Sequence, residues 1–158
     1  MAAIRSFSRL LNRQTFATMA KRGYSDEMSF TFAAGNQVFY DAKSVKQVDV
    51  PSFSGSFGIL PKHVPTLAVL KPGVVTVFEN EGNIKKIFVS SGTVTINDDS
   101  SVQVLAEEAC PVENIDVSAA RDVLNKSQSE LSSASTDLAR AEAAIAVEVA
   151  EALVKACE

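Results

Sequence analysis

Every proline and every glycine of this chain lies at or before Pro111, and the stretch from Val112 to Glu158 contains neither. Glycine supplies backbone angles that other residues avoid, and proline fixes φ and removes a hydrogen-bond donor. Both mark places where a chain turns tightly. The break at Pro111 therefore separates a turn-rich region from one with no such interruptions. From about Ser29 to Pro111 the apolar period is close to two. Phe30, Phe32 and Ala34 alternate with polar or small residues, and Val38, Tyr40, Val45, Val48 and Val50 continue the theme. Val74–Phe78 and Ile84–Ser90 flank the turn cluster Glu79-Asn80-Glu81-Gly82-Asn83. Thr93–Asn97 and Val102–Ala106 flank Asp98-Asp99-Ser100-Ser101. Many short strands with regular turn clusters predict an antiparallel sandwich or barrel.

Beyond Pro111 the period lengthens and Ala becomes frequent. Asp116 or Ser118 can cap a helix start by accepting from its orphan N–H groups. Val117, Ala120, Leu124 and Leu131 share one face of that helix. Ser132-Ser133-Ala134-Ser135 reads as a turn, with Ser135 as the cap of a second helix. Leu138, Ala141, Ile145, Val149, Ala152 and Ala156 repeat at three- and four-residue steps and predict its apolar seam. Two such helices joined by a short link form an antiparallel hairpin.

The first two dozen residues point to a compartment. Arg5, Arg9, Arg13, Lys21 and Arg22 precede the first acid, Asp26, with Ile4, Phe7, Leu10, Leu11 and Phe16 interspersed. An Arg-rich, acid-free amphipathic leader is the signature of a mitochondrial transit peptide. Arg22-Gly23-Tyr24-Ser25 matches a matrix-protease pattern, which predicts cleavage between Tyr24 and Ser25. Without the leader, ten basic residues face nineteen acids, a net charge of −9. Such a domain is a poor nucleic-acid binder, because phosphate contacts need Lys and Arg. It suits partners with basic faces.

Ser54–Val75 holds Gly55, Gly58 and Gly73 and Pro61, Pro65 and Pro72, with short apolar runs between them. Phe57, Gly58, Leu60, Pro61, His63, Pro65, Leu70, Lys71, Pro72 and Gly73 match the string FGxLPxHxPxxxxLKPG. The segment resembles the family of rotary ATP synthase subunits known as epsilon in bacteria and delta in mitochondria. Glu151-Ala152-Leu153-Val154-Lys155-Ala156 is similar to the end of the mitochondrial members. The resemblance implies a β-sandwich N-terminal domain over 25–111, after a transit peptide at 1–24. A C-terminal antiparallel two-helix hairpin would follow over 112–158.

The resemblance also implies a non-catalytic central-stalk (rotor) subunit of the proton-driven F-type ATP synthase, coupling c-ring rotation to the gamma shaft. Its implied partners are the gamma subunit, the mitochondrial epsilon subunit and the c-ring. It would not be a homo-oligomer and would hold no cofactor. Its place would be the matrix side of the mitochondrial inner membrane, peripheral through the complex. The alternative it carries is a regulatory module whose hairpin inhibits ATP hydrolysis.

The residues themselves offer little catalytic chemistry. His63 is the only histidine, lies between Pro61 and Pro65, and belongs to no recognisable Ser–His–Asp set. Cys110 and Cys157 follow no CxxC pattern, and in a reducing compartment they read as free, partly buried thiols. Asp98-Asp99 reads as a solvated turn and Glu107-Glu108 as a strand end, since neighbouring residues of a strand point to opposite faces. Neither GxxxxGK[ST] nor GxGxxG occurs. Some bacterial relatives bind ATP through an I/L-D-x-x-R-A pattern at the hairpin start. Ile115 and Asp116 match it, but Ala119 stands where Arg is needed and Arg121 lies two positions late. Phe53, Phe57, Ile59, Leu60 and His63 are the candidate interface residues, as a loop group with little room to bury all of them.

Overall fold

The computed structural model describes residues 27–158, so the expected transit peptide and its cleavage at Tyr24–Ser25 lie outside the described residues. Nine strands come first. They are β1 (Met28–Ala34), β2 (Val38–Ser52), β3 (Gly55–Ile59), β4 (Thr66–Leu70), β5 (Gly73–Glu79), β6 (Ile84–Val89), β7 (Gly92–Ile96), β8 (Ser101–Ala106) and β9 (Ala109–Pro111). A single 3-10 turn, Val112–Asn114, leads to two helices, α1 (Val117–Ser133) and α2 (Asp137–Ala156).

The strands form one hydrogen-bonded path, β1-β8-β7-β4-β2-β5-β6-β9, with β3 added beside β2 and a further pairing of β1 with β2. The path folds over itself into a sandwich. Pairing is antiparallel throughout except between β1 and β8, which run parallel. The alternation read in the sequence sets the inner faces. Met28, Phe30 and Phe32 of β1, Val75 and Val77 of β5, Val94 and Ile96 of β7, and Val102 and Val104 of β8 all point into one core. Phe30 lies 5.3 Å from Tyr40 and 6.1 Å from Phe32, ring centre to ring centre. At about 25 cal/mol per Å² of apolar surface removed from water, such burial is the main stabilising term.

A carboxylate closes one end of this core. Glu79, at the end of β5, is 6% exposed. It accepts from Tyr40 Oη at 3.1 Å, Lys43 Nζ at 3.2 Å and Asn83 Nδ2 at 3.4 Å, and Lys85 Nζ lies 3.5 Å away. The two ammoniums also stand 5.8 Å and 5.7 Å from the centre of the Tyr40 ring. Strands β2, β5 and β6 are thus tied through one buried charge. The hydrogen bond from Lys43 leads the effects that lower the Glu79 carboxyl to about 2, against the cost of its burial. Burial first, then Glu79, raises the Tyr40 hydroxyl.

The helices differ from the sequence expectation in two places. Asp116 caps α1 as expected, accepting from the N–H of Ser118 at 2.8 Å and of Ala119 at 3.3 Å. The cap of α2 is Thr136 rather than Ser135, with its Oγ1 accepting from Ala139 N at 3.1 Å. The expected turn starts late because Ser132 and Ser133 bond back to the Ser129 carbonyl and stay helical. The seam also rotates. Leu138 and Ile145 are 70% and 63% exposed, and the buried residues are Ala143 and Ala150 on α2 and Ala120 and Ser127 on α1. Each pair is seven residues apart, about two turns, so small side chains line the contact. They let the helix axes approach closely, and the large aliphatic residues are left outside.

The Glu79 cluster makes a pH prediction. Its folded-state value lies below the ordinary carboxylate value of about 4.3, so its contribution is complete above that pH and is lost as pH falls towards 2. The lysine ends are half exposed, and solvent screening leaves about 1–2 kcal/mol. Urea unfolding of Glu79→Gln should show that much less stability than the parent at pH 7, and a difference that shrinks by pH 3.

Candidate functional site: an uncharged sheet face

The two outer faces of the sandwich have different fates. Cross-strand partners share a face, so Val74 of β5, Phe88 of β6 and Cys110 of β9 form one outward row. Helix α2 lies over this side, and Val149 and Leu153 line a cavity of about 560 Å³ together with Phe88 and Cys110. Phe88 is consequently buried although it faces away from the main core.

The opposite outer face, on β4, β7, β8 and β1, has no such cover among the described residues. One row across it reads Val69, Thr93, Leu105, Ala33, and the next reads Leu67, Thr95, Gln103, Thr31. None of these eight side chains is charged, in a chain where 22% of residues are. Leu67 is 74% exposed, and Val69 and Leu105 are each 55% exposed. An uncharged face carrying exposed Leu67, Val69 and Leu105, on a surface otherwise rich in charge, is a candidate contact site.

The β2–β3 turn and the β3–β4 loop extend that face. Phe53, 71% exposed, donates its N–H to the Val69 carbonyl at 3.4 Å, which sets it beside β4. Leu60 and Val64 are also exposed. His63 is half buried. Its ring centre lies 6.1 Å from that of Phe57, its Nδ1 is 2.9 Å from the Val64 carbonyl oxygen, and its N–H donates to the Leu60 carbonyl at 3.1 Å. The ring thus braces the loop.

The five candidate interface residues therefore divide. Phe53 and Leu60 are on the surface. Ile59 is fully buried and Phe57 is half buried against the core, because both fall on the inward parity of β3. Sequence reasoning missed Leu67, Val69 and Leu105. The signal was present in Leu67-Ala68-Val69-Leu70, since an unbroken apolar run in a strand implies that both faces are covered.

Gly58 is not a turn glycine. It lies within β3, and the turn residue with positive φ is Gly55, at 121°. A Cβ at Gly58 would stand 2.8 Å from Asp49 Oδ1 and 3.1 Å from Gln47 Nε2, which are joined to each other at 2.6 Å. The position is restricted by a cross-strand polar pair and not by a backbone angle. Gly58→Val should then cost about 1 kcal/mol, roughly the worth of the displaced hydrogen bond. In an Asp49→Ala background the penalty should largely vanish, as thermal unfolding of the four variants in the cycle will read.

The acidic pairs are structural. Asp99 accepts from Ser101 Oγ at 2.6 Å and Ser101 N at 2.9 Å, contacts that lower its carboxyl. Glu107 Oε2 accepts from Ser91 Oγ at 2.8 Å. Among the described residues no three His, Cys, Asp or Glu side chains gather as a metal set, and no helix is long and apolar enough to cross a membrane. The Asp116 carboxylate is held by the α1 N-terminus, and Arg121 is exposed. Titration with ATP to millimolar concentration should give no saturable NMR shifts at 116–121, and Asp116→Ala should cost roughly 1 kcal/mol through the lost cap.

One outer face of this β-sandwich is covered by its own helical hairpin, and among the described residues the other is uncovered and uncharged. Residues 27–112 match the model for the β-sandwich domain of the ATP synthase delta/epsilon chain. Residues 115–156 match the model for the C-terminal domain of the metazoan delta subunit of F1F0-ATP synthase. The mitochondrial ATP synthase delta subunit of Caenorhabditis elegans is 50% identical over 153 residues, covering 90% of this chain and 93% of that one. That of Yarrowia lipolytica is 41% identical over 140 residues, covering 85% and 86%. The chain belongs to the delta/epsilon family of ATP synthase subunits, in its mitochondrial delta branch. The fold also matches a chain of the Euglena gracilis mitochondrial ATP synthase, with a TM-score of 0.78 at 24% identity over 84% of this chain and 82% of that one.

Proposed function

We infer that this chain is a non-catalytic rotor subunit of the mitochondrial ATP synthase, passing torque between the c-ring and the gamma shaft. The Euglena structure was solved as an OSCP/F1/c-ring assembly, and a second fold neighbour, with a TM-score of 0.64, belongs to a Tetrahymena thermophila central stalk and c-ring. These settings support the c-ring and the central stalk as partners, with the gamma and mitochondrial epsilon subunits as the stalk members this reading assigns. The mitochondrial relatives support a mitochondrial location, and a c-ring partner would set the chain peripherally at the inner membrane, on its matrix side. The observation that carries the reading is the uncharged outer face of β4, β7, β8 and β1. A rotor element that transmits torque needs a stiff body and a broad contact, and stable contacts of this kind bury more than roughly 1,200 Å².

The test places a charge on that face. Leu67→Asp and Leu105→Asp alter exposed side chains, so the chain should still fold with its thermal midpoint within a few degrees of the parent. Burying an unpaired carboxylate in an interface costs on the order of 2–4 kcal/mol, so the variants should bind the rest of the stalk at least tenfold more weakly. Detached catalytic head should keep its ATP hydrolysis while proton-driven synthesis by the whole complex falls. Full assembly and coupling with either variant would remove this face from the contact.

A further inference from the structure

We propose that Cys110 and Cys157 form a modification site, a thiol pair that closes to a disulfide under oxidising conditions and locks the hairpin onto the sandwich. Cys110 is the middle residue of β9 and pairs with Phe88, so its side chain shares the outward row that faces α2. Phe88 and Cys110 line the cavity that Val149 and Leu153 of α2 close from the other side. Cys157 lies four residues beyond Leu153, one turn further along the same face, and its Sγ lies 3.2 Å from the Leu153 carbonyl oxygen. Both thiols are free and half buried. Burial chiefly, with the neighbouring Cys157 sulfur and the Glu108 carboxylate, raises the Cys110 thiol.

The two modules meet here beside a half-open groove lined by Phe88, Cys110, Val149 and Leu153. Side chains along a groove lack packing partners on its open side, so the end of the hairpin is a place where a covalent tie adds to the packing. Cys157 is also the C-cap residue, past the last residue of α2, where the chain adjusts to bring sulfur to sulfur without breaking the helix.

The chemistry needs a small-molecule disulfide such as glutathione disulfide. One thiolate attacks it, forming a mixed disulfide and releasing one glutathione thiol. The second cysteine then displaces the bound glutathione, forming the Cys110–Cys157 bond and releasing another. Two protein thiols are oxidised, one glutathione disulfide is reduced to two thiols, and the protons pass to the leaving thiolates. A reducing glutathione pool reverses both steps.

The experiment uses the full chain, which has only these two cysteines. Reduced protein is exposed to glutathione disulfide, digested with trypsin without reduction and analysed by mass spectrometry. The expected product is peptide 87–121 joined to peptide 156–158, from a monomer carrying no glutathione. Cys110→Ser and Cys157→Ser should each retain a single glutathione adduct and give no linked peptide. Circular dichroism of the reduced variants establishes that they fold. The linked chain should unfold about 5 °C or more above the reduced one, with the gain reversed by dithiothreitol. A doubly glutathionylated monomer, or links only between molecules, would overturn the pairing. A linked chain with an unchanged melting temperature would overturn the lock.

Discussion

β2 runs for fifteen residues and pairs with four other strands, and it does so only because its alternation breaks twice. Tyr40 points inward from an even position, Val45 from an odd one, and Val48 and Val50 from even positions again. The first change of parity coincides with Ala42, at φ 46°, and with a register shift against β1. The second coincides with a shift against β5 between Val45 and Gln47. Bulges of this kind bend a strand and sharpen its twist. Here they carry β2 from its pairing with β1 into the place between β3 and β5, and on to Ser52 beside Leu70 of β4. Both layers share this strand, so the sandwich has one core.

The same breaks explain what the sequence could and could not disclose. Uninterrupted alternation in Phe30 to Ala34, Thr93 to Asn97 and Val102 to Ala106 marked strands directly, and the Asp/Gly/Asn clusters marked their turns. The spacing of three between Val45 and Val48 was the written trace of a bulge. Its consequence, a strand common to two layers, depends on partners distant in sequence and is not a local signal. The parallel pairing of β1 with β8 is hidden for the same reason. In the hairpin, the Asp116 cap and the helical period were legible, but the Thr136 cap and the buried side were not. A hydrophobic count favours Leu138 and Ile145, whereas close approach of two helices favours Ala120, Ser127, Ala143 and Ala150. Interhelical distance, which no single-helix pattern contains, decided between them.

The exposed face proposed as the contact surface was partly legible. Phe53 and Leu60 stood out as large apolar residues in a loop, and they are exposed. Phe57 and Ile59 share the same stretch but fall on the inward parity of β3, which its pairing register with Val50 and Val48 determines. Leu67, Val69 and Leu105 come from strands far apart in sequence. They gather only because β7 lies between β4 and β8. A face made of residues that each look like ordinary core is invisible until the strand order is known.

Each layer of the sandwich buries one face against the other and must do something with the second. The β5, β6 and β9 side covers it with α2, through Phe88, Val149 and Leu153. The β1, β8, β7 and β4 side leaves it bare among the described residues. These surfaces lie on opposite sides of one buried core, with Glu79 tying β2, β5 and β6 at one end, and protein interiors are close-packed. A load applied at the bare face therefore reaches the hairpin side through interlocked side chains and not through a flexible linker. The junction between α2 and that path is bordered by the half-open groove lined by Phe88, Cys110, Val149 and Leu153, where a covalent tie would add to the packing. This is the physical reason a reversible bond between Cys110 and Cys157 would change the mechanics of the whole chain and not of one loop.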